Sequence, residues 1–164
     1  MLVVADTSPI NYLVLIQHDA ILPALYERVV VPPAVLTDLR RSRTPAAVRA
    51  WVAYPPAWFE VRQPQQELDV RHYPKLGARE REAIALAQEL RASLLLIDDA
   101  DGREAAERHA LAATGTLGIL ESAAIHGLID LPDALARLQA TTFRARAELF
   151  QALLARDAAR KKQG

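Results

Sequence analysis

The chain has 164 residues, of which 51% are hydrophobic, enough for one domain with a core of its own. It contains no cysteine, so disulfides, cysteine-based zinc sites and thiol nucleophiles are excluded. Twenty basic and twenty acidic residues cancel, so the net charge does not indicate a nucleic-acid partner. The four histidines stand singly, without the close spacing of a zinc site, and none is expected to be a ligand.

The first half of the chain shows short apolar runs that alternate with helical patterns. An apolar run that ends at Asp6 is typical of a buried strand, and Ser8 as N-cap with Pro9 as first residue predicts a helix directly after it. The pattern then predicts a helix over residues 21–26, a buried strand over 29–31, helices over about 34–41 and 46–52, and a strand over 58–61 nearer an edge. The polar residues 62–76 are expected to form a loop.

The second half continues the alternation. We expect a helix over residues 78–90, the clearest buried strand over 94–97, a helix over about 102–113, a turn or very short strand at 115–116, and helices through 120–126, 132–139 and 143–160. Strands that alternate with helices predict a mainly parallel sheet covered on both faces, an α/β fold of three layers. Residues 1–140 are expected to form the domain, and 141–164 its C-terminal helix and basic tail.

The first residues carry no basic lead-in, long apolar region or cleavage site, so we expect no signal peptide. The apolar runs are too short to span a bilayer. We therefore expect a cytoplasmic protein that does not contact a membrane.

Acidic residues fall where the predicted strands end. Asp6 ends the first strand, Asp98 and Asp99 end the strongest one, and Asp38 lies on the helix after the second strand. The carboxyl ends of parallel strands share one edge of a sheet, so these acids can converge there. Converging carboxylates repel one another unless a cation lies between them, and hard oxygen ligands suit Mg²⁺ or Mn²⁺. Such a site can activate water for the hydrolysis of a phosphodiester, which indicates a nuclease.

Two glutamates open the helix before the strongest strand, and helical geometry separates them. Ala83, Ile84 and Ala87 lie three, four and seven residues after Glu80, so Glu80 shares the buried side of this helix. Glu82 shares a more mixed face and is the second choice. Both glutamates also favour the positive end of the helix whatever their function.

The other acids also have structural explanations. Asp6 could cap the first helix, and Asp38 could be an ordinary surface acid beside basic neighbours. The chain has two groups of basic residues, and a solvated face and a frayed tail explain them equally well. The first group is Arg40, Arg41, Arg43 and Arg49, and the second is Arg156, Arg160, Lys161 and Lys162. Arginine suits phosphate contacts, so the first group is a candidate for binding RNA.

Four segments together resemble the PIN-domain proteins. They read VADTSPI at residues 4–10, VPPAVLTDL at 31–39, LGAREREAIALA at 76–87 and LLLIDDADGR at 94–103. GTLGIL at 115–120, followed by GLI at 127–129, resembles the DUF3368 subgroup, near relatives of VapC-type toxins. The resemblance covers about residues 2–130.

This resemblance implies a PIN fold and an endoribonuclease that depends on Mg²⁺ or Mn²⁺, often a toxin neutralised by a small antitoxin and commonly a homodimer. On the matching positions, the metal-binding acids would be Asp6, Glu80 or Glu82, and Asp98 or Asp99. Ser8 would support Asp6 through a hydrogen bond.

The chain departs from the family pattern at two positions. Asp38 stands where the family usually has glutamate, and Arg79 stands in the usual glycine position, where it could pair with the acids or contact a phosphate. The shortened Asp38 keeps open a PIN-like module that binds RNA or a protein without cutting it. A nucleotide-binding or phosphatase-type domain is disfavoured, because no glycine-rich loop follows the first strand and Ser8 stands where such a phosphatase has its second aspartate.

Overall fold

Five short strands form one sheet in the computed structural model, which describes residues 1–164. They are β1 (Leu2–Ala5), β2 (Arg28–Val31), β3 (Phe59–Val61), β4 (Leu94–Leu96) and β5 (Ala113–Thr114), in the spatial order β3-β2-β1-β4-β5. Every pairing is parallel, so the carboxyl ends of the strands lie at one edge. The predicted α/β class is confirmed, and the edge position of the third strand is confirmed with it.

Helices lie between consecutive strands in the chain, and three more follow the last strand. They are α1 (Thr7–Leu15), α2 (Ile21–Leu25), α3 (Pro33–Leu39), α4 (Ala46–Ala53), α5 (Ala78–Glu89), α6 (Ala100–Arg108), α7 (Thr116–Ile125), α8 (Leu131–Gln139) and α9 (Ala147–Gln163). None of them is both long enough and apolar enough to cross a membrane.

Both faces of the sheet are buried, which explains why its strands lack polar alternation. Val4, Val30 and Leu95 point to one face, in a cluster with side chains of α5 and α6 such as Ile84 and Ala105. On the other face, Val3, Ala5, Val29, Val31 and Leu96 are also fully buried. Each large apolar side chain buried in this way contributes about 1.5 to 3 kcal/mol. This packing fixes where the end of each strand lies.

The expected start of the first helix is wrong by two residues. Asp6, and not Ser8, is the N-cap, with extended backbone angles, and α1 begins at Thr7. The pairing of β1 with β4 keeps the chain extended up to Asp6, because the amide of Asp6 donates a hydrogen bond of 2.8 Å to the carbonyl of Leu96. Pro9 then lies in the first helical turn, where backbone N–H groups have no acceptor within the helix. The lack of an N–H in proline therefore removes no helical hydrogen bond.

Two other helix boundaries differ from the prediction. The α6 helix begins at Ala100 because Asp99 caps it, and it ends at Arg108 because the chain turns at Ala110, which has a positive φ of 56°. The α9 helix begins at Ala147, later than expected, because the chain before it forms a turn in which the Phe143 amide donates to the Thr141 hydroxyl.

The contacts of the chain divide it into two compact units, residues 1–116 and 117–164. The first contains the whole sheet. In the second, α8 packs against α9, and Asp130 caps α8 by accepting a hydrogen bond from the amide of Asp133. The predicted division at residue 140 stays a prediction.

Candidate active site

Asp6 is a buried acid at the carboxyl edge of the sheet, directly after β1. It is 1% exposed, and its Oδ1 has no hydrogen-bond partner. Burial raises the pKa of this carboxyl to about 7, while the amide of Thr7 and the guanidinium of Arg79 oppose the shift. The hydroxyl of Thr7 is also buried without a partner. Asp6 is therefore held in an environment that leaves its negative charge poorly compensated.

Three carboxylates surround the guanidinium of Arg79, and we call Asp6, Asp38 and Glu80 the acidic cluster. Nη1 of Arg79 lies 2.8 Å from Oδ2 of Asp38, and Nε lies 3.1 Å from Oε1 of Glu80 and 3.8 Å from Oδ1 of Asp6. Burial opposes protonation of Arg79, but the three carboxylates together raise its pKa. The predicted pairing of this arginine with the acids is thus what the structure shows.

Glu80 enters the acidic cluster from the first turn of α5. Only 6% of the residue is exposed, and Oε2 has no hydrogen-bond partner. A Cβ at Gly77, the N-cap of α5, would lie 2.7 Å from this oxygen. Glycine is therefore required at position 77 for the carboxylate to lie where it does. Glu80 lies in the first turn of α5, at the positive end of the helix dipole.

A cavity of about 500 Å³ opens beside the acidic cluster. Its charged lining consists of Asp38, Glu80, Arg41 and Arg79. Arg41 pairs with Asp38 at 3.2 Å and is largely exposed. Both signs of charge therefore line this cavity, and its two arginines suit a phosphate while its carboxylates suit a cation.

Asp98 accepts its hydrogen bonds from Thr116, a residue outside the acidic cluster. Its two carboxylate oxygens accept hydrogen bonds of 2.7 Å from the amide and from the hydroxyl of Thr116. Burial raises the pKa of Asp98, and these hydrogen bonds oppose the shift. A Cβ at Gly115 would lie 2.5 Å from Oδ1 of Asp98, so this close approach requires glycine. Both oxygens of Asp98 are occupied in holding the start of α7.

Asp99 is exposed and caps α6, with Oδ2 accepting a hydrogen bond of 2.8 Å from the amide of Gly102. Its second oxygen keeps no such bond. Across the chain, no group of three or more histidine or acidic side chains lies close enough together to hold a metal ion. The structure thus brings Asp6, Asp38 and Glu80 together around an arginine, whereas Asp98 and Asp99 form no ion pair with it.

Two predicted residues lie outside the acidic cluster. Glu82 is half-buried, and burial raises its pKa with a contribution from the negative charge of Glu67, while the amide of Ala34 at the start of α3 lowers it. The groups that act on the Asp6 carboxyl are the amide of Thr7 and the charges of Arg79, Glu80 and Asp38, and the hydroxyl of Ser8 is not one of them. Helical geometry had favoured Glu80 over Glu82, and the positions of the two side chains agree with it.

The sequence matches the DUF3368 family, described as a PIN domain, over residues 2–158. The chain is a member of this PIN-domain family. Members of the family are typically nucleases, and in this PIN domain the buried acids at the carboxyl edge of the sheet are the candidate active site.

The structure is similar to a solved structure, that of a PilT N-terminus domain protein from the hyperthermophilic archaeon Sulfolobus solfataricus P2. The two chains are 16% identical, the alignment covers 89% of this PIN domain and 100% of the archaeal chain, and the TM-score is 0.46. No curated protein matches the sequence.

The basic residues separate into those beside the acidic cluster and those elsewhere. Arg41 and Arg79 line its cavity, whereas Arg40 and Arg43 are exposed and do not. Arg49 donates to the carbonyl of Thr44. In the second unit, the C-terminal group is mostly paired with acids: Arg156 with Glu121, and Arg160 and Lys161 with Asp157.

Sequence reasoning assigned no role to three residues that shape the site. Thr116 is fully buried and binds Asp98, Gly77 makes room for the Glu80 carboxylate, and Thr7 places an unpartnered hydroxyl beside Asp6. The hydroxyl and glycine residues at these positions belong to the segments that resemble the family. That resemblance was the signal that could have identified them.

Proposed function

We propose that this PIN domain is a metal-dependent endoribonuclease that hydrolyses phosphodiester bonds of RNA. The observation that carries the proposal is the pair of buried acids, Asp6 and Glu80, each with a carboxylate oxygen that accepts no hydrogen bond. Buried polar atoms without hydrogen-bond partners are costly, and they persist at sites where a ligand compensates them.

The unpartnered oxygens fit a hard divalent cation such as Mg²⁺ or Mn²⁺. Asp6 and Glu80 would hold it, with Asp38 beside them and the free oxygen of Asp99 as a further donor; Asp98 is the less favoured alternative because both its oxygens bind Thr116. When bound, the ion supplies an activated water and charge stabilisation for phosphodiester hydrolysis.

The remaining groups position the substrate. Arg41 and Arg79 line the cavity of about 500 Å³ and would contact phosphate oxygens, and the exposed Arg40 and Arg43 would extend this contact along the RNA. Ser8, at the start of α1, is proposed as a supporting residue and Glu82 as the alternative carboxylate to Glu80.

The test is a cleavage assay on a panel of single-stranded RNAs with Mn²⁺, Mg²⁺ or EDTA. We expect metal-dependent cleavage by the wild type and a loss of at least about 100-fold in Asp6→Asn and Glu80→Gln, since the loss of a residue that only supports a metal ligand already costs about 10- to 100-fold. Glu107→Gln, which removes the same charge from an exposed position on α6, is the matched control. Cleavage that persists in Asp6→Asn would refute this assignment.

A second candidate is a PIN-like module that binds RNA or a protein without cutting. The arginine among the acids, and the absence of three acids spaced to hold an ion, favour it. RNA binding that is equal in EDTA and Mn²⁺, with no cleavage by folded wild type, would select this candidate.

The resemblance to VapC-type toxins supports two further proposals, a toxin role with a small antitoxin as partner, and a homodimer. Expression of the protein is then expected to arrest growth, and Asp6→Asn is expected to abolish the arrest. Light scattering at several concentrations measures whether two copies associate.

A further inference from the structure

The guanidinium of Arg79 lies at the point on which the acidic cluster converges. Its Nε is within 3.8 Å of an oxygen of Asp6 and 3.1 Å of an oxygen of Glu80, and Nη1 is 2.8 Å from an oxygen of Asp38. Two of these acids come from other elements, the end of β1 and α3. The arginine therefore joins three parts of the fold.

These distances suit an organic cation and not a small metal ion. Mg²⁺ binds oxygen at about 2.0–2.1 Å, so three carboxylates around it lie closer together than three carboxylates around a guanidinium. This explains why no three acids are spaced to hold an ion although three of them face one point. A guanidinium and a metal ion repel each other, so the two cannot share that point.

Of the four side chains in this arrangement, that of Arg79 is the most exposed. The side chains of Asp6 and Glu80 are only 2% and 8% exposed, whereas that of Arg79 is 37% exposed. Arg79 also borders the cavity of about 500 Å³, which gives its long side chain a place to go without unfolding any element.

We propose that Arg79 is a resident counter-ion that competes with a divalent cation for the acidic cluster and thereby sets the metal affinity of the protein. The inference rests on the proposed metal-dependent function. In the absence of metal, Arg79 compensates part of the buried charge and keeps the acids apart. Binding of the cation displaces the guanidinium toward the cavity, and the acids close on the ion.

The test measures Mn²⁺ binding to RNA-free protein by the decrease of the free Mn²⁺ signal in electron paramagnetic resonance. We expect Arg79→Gln to bind Mn²⁺ at least about tenfold more tightly than the wild type, because a cation within about 4 Å of the site is removed. Arg41→Gln is the matched control: it removes the same charge beside Asp38 but does not reach Asp6 or Glu80, and we expect a change of no more than about threefold.

Equal or weaker binding by Arg79→Gln would overturn the competition. If neither the wild type nor Arg79→Gln bound Mn²⁺, the proposed metal site itself would fail, and the competition with it. If the wild type bound Mn²⁺ and Arg79→Gln bound it no better, only the competition would fail.

A measurement on the unaltered protein does not depend on how well the variants fold. The Nε–H resonance of Arg79, identified by its loss in Arg79→Lys, is expected to be protected from solvent exchange in EDTA and to lose that protection as Mg²⁺ is added. Protection that persists at saturating Mg²⁺ would show that the guanidinium stays in the cluster, contrary to the proposal.

Discussion

The acidic cluster around Arg79 and the acid Asp98 after β4 differ in how their buried carboxylate oxygens are hydrogen-bonded. In the acidic cluster, Asp6 and Glu80 each keep a buried oxygen without a hydrogen-bond partner. After β4, both oxygens of Asp98 accept hydrogen bonds from Thr116. An acid at the end of a strand can thus accept hydrogen bonds from the next helix with both oxygens, as Asp98 does, or keep an oxygen without one, as Asp6 does.

The comparison also explains the two glycines that the site requires. Gly77 leaves room for an unsatisfied carboxylate, and Gly115 leaves room for a satisfied one. In the first case the space preserves a site at a cost in stability, and in the second it permits hydrogen bonds that stabilise the fold. Changes at the two places are therefore expected to act on different observables.

The largest expected effect on stability is a dependence on pH that comes from Asp6. Its folded pKa of about 7 lies above its ordinary value of 3.8, so between these values the folded state holds a proton that the unfolded state has lost. The free energy of unfolding therefore falls as the pH rises through this window and levels above it. We expect the metal-free wild type to lose about 2 to 3 kcal/mol relative to Asp6→Asn between pH 5 and pH 8.

Urea unfolding of both proteins in EDTA at these two pH values measures the difference. The neutral amide of Asp6→Asn cannot titrate, so this variant is the control for all other ionisable groups. Parallel pH profiles would mean that Asp6 is ionised at no cost, and the contrast between the two groups of acids would disappear.

The second effect concerns Asp98, which is expected to be a stabilising residue. Asp98→Ala leaves the amide and hydroxyl of the fully buried Thr116 without an acceptor, and we expect a loss of about 2 to 3 kcal/mol of unfolding free energy in EDTA. Asp130→Ala removes an acid with a similar capping role from an exposed position on α8, and about 1 kcal/mol or less is expected there. Equal losses in the two variants would show that burial of Thr116 does not matter.

Much of the fold followed from local patterns in the sequence. The apolar runs at β1, β2 and β4 have no polar alternation because both faces of the sheet are covered, and they could be recognised for that reason. The start of α1 was misplaced because a long-range bond from Asp6 to Leu96 determines it, and a local capping preference carries no information about that bond.

The candidate site was predictable in part for the same reason. Helical periodicity selected Glu80, which is a local property of α5. The hydrogen bonds that Asp98 accepts come from Thr116, and the central position of Arg79 depends on acids from three elements. Such contacts join residues that are far apart in sequence, so no local pattern contains them.

The smallest expected effect separates geometry from charge within the acidic cluster. Gly77→Ala places a Cβ 2.7 Å from the present position of Oε2 of Glu80, and a flexible carboxylate can move away at little cost in stability. The catalytic geometry would nevertheless change, so we expect kcat/KM for RNA cleavage to fall about tenfold, as for the loss of a residue that supports a metal ligand. The free energy of unfolding should change by about 1 kcal/mol or less.

A double-mutant cycle with Glu80→Gln tests whether the added methyl group acts through this carboxylate. If it does, Gly77→Ala has no further effect on the residual activity of Glu80→Gln, and the two losses are not additive. Additive losses would mean that position 77 influences cleavage by another route, such as the start of α5. Gly77 would then belong with the residues that build helices, and the division between satisfied and unsatisfied acids would have to be drawn without it.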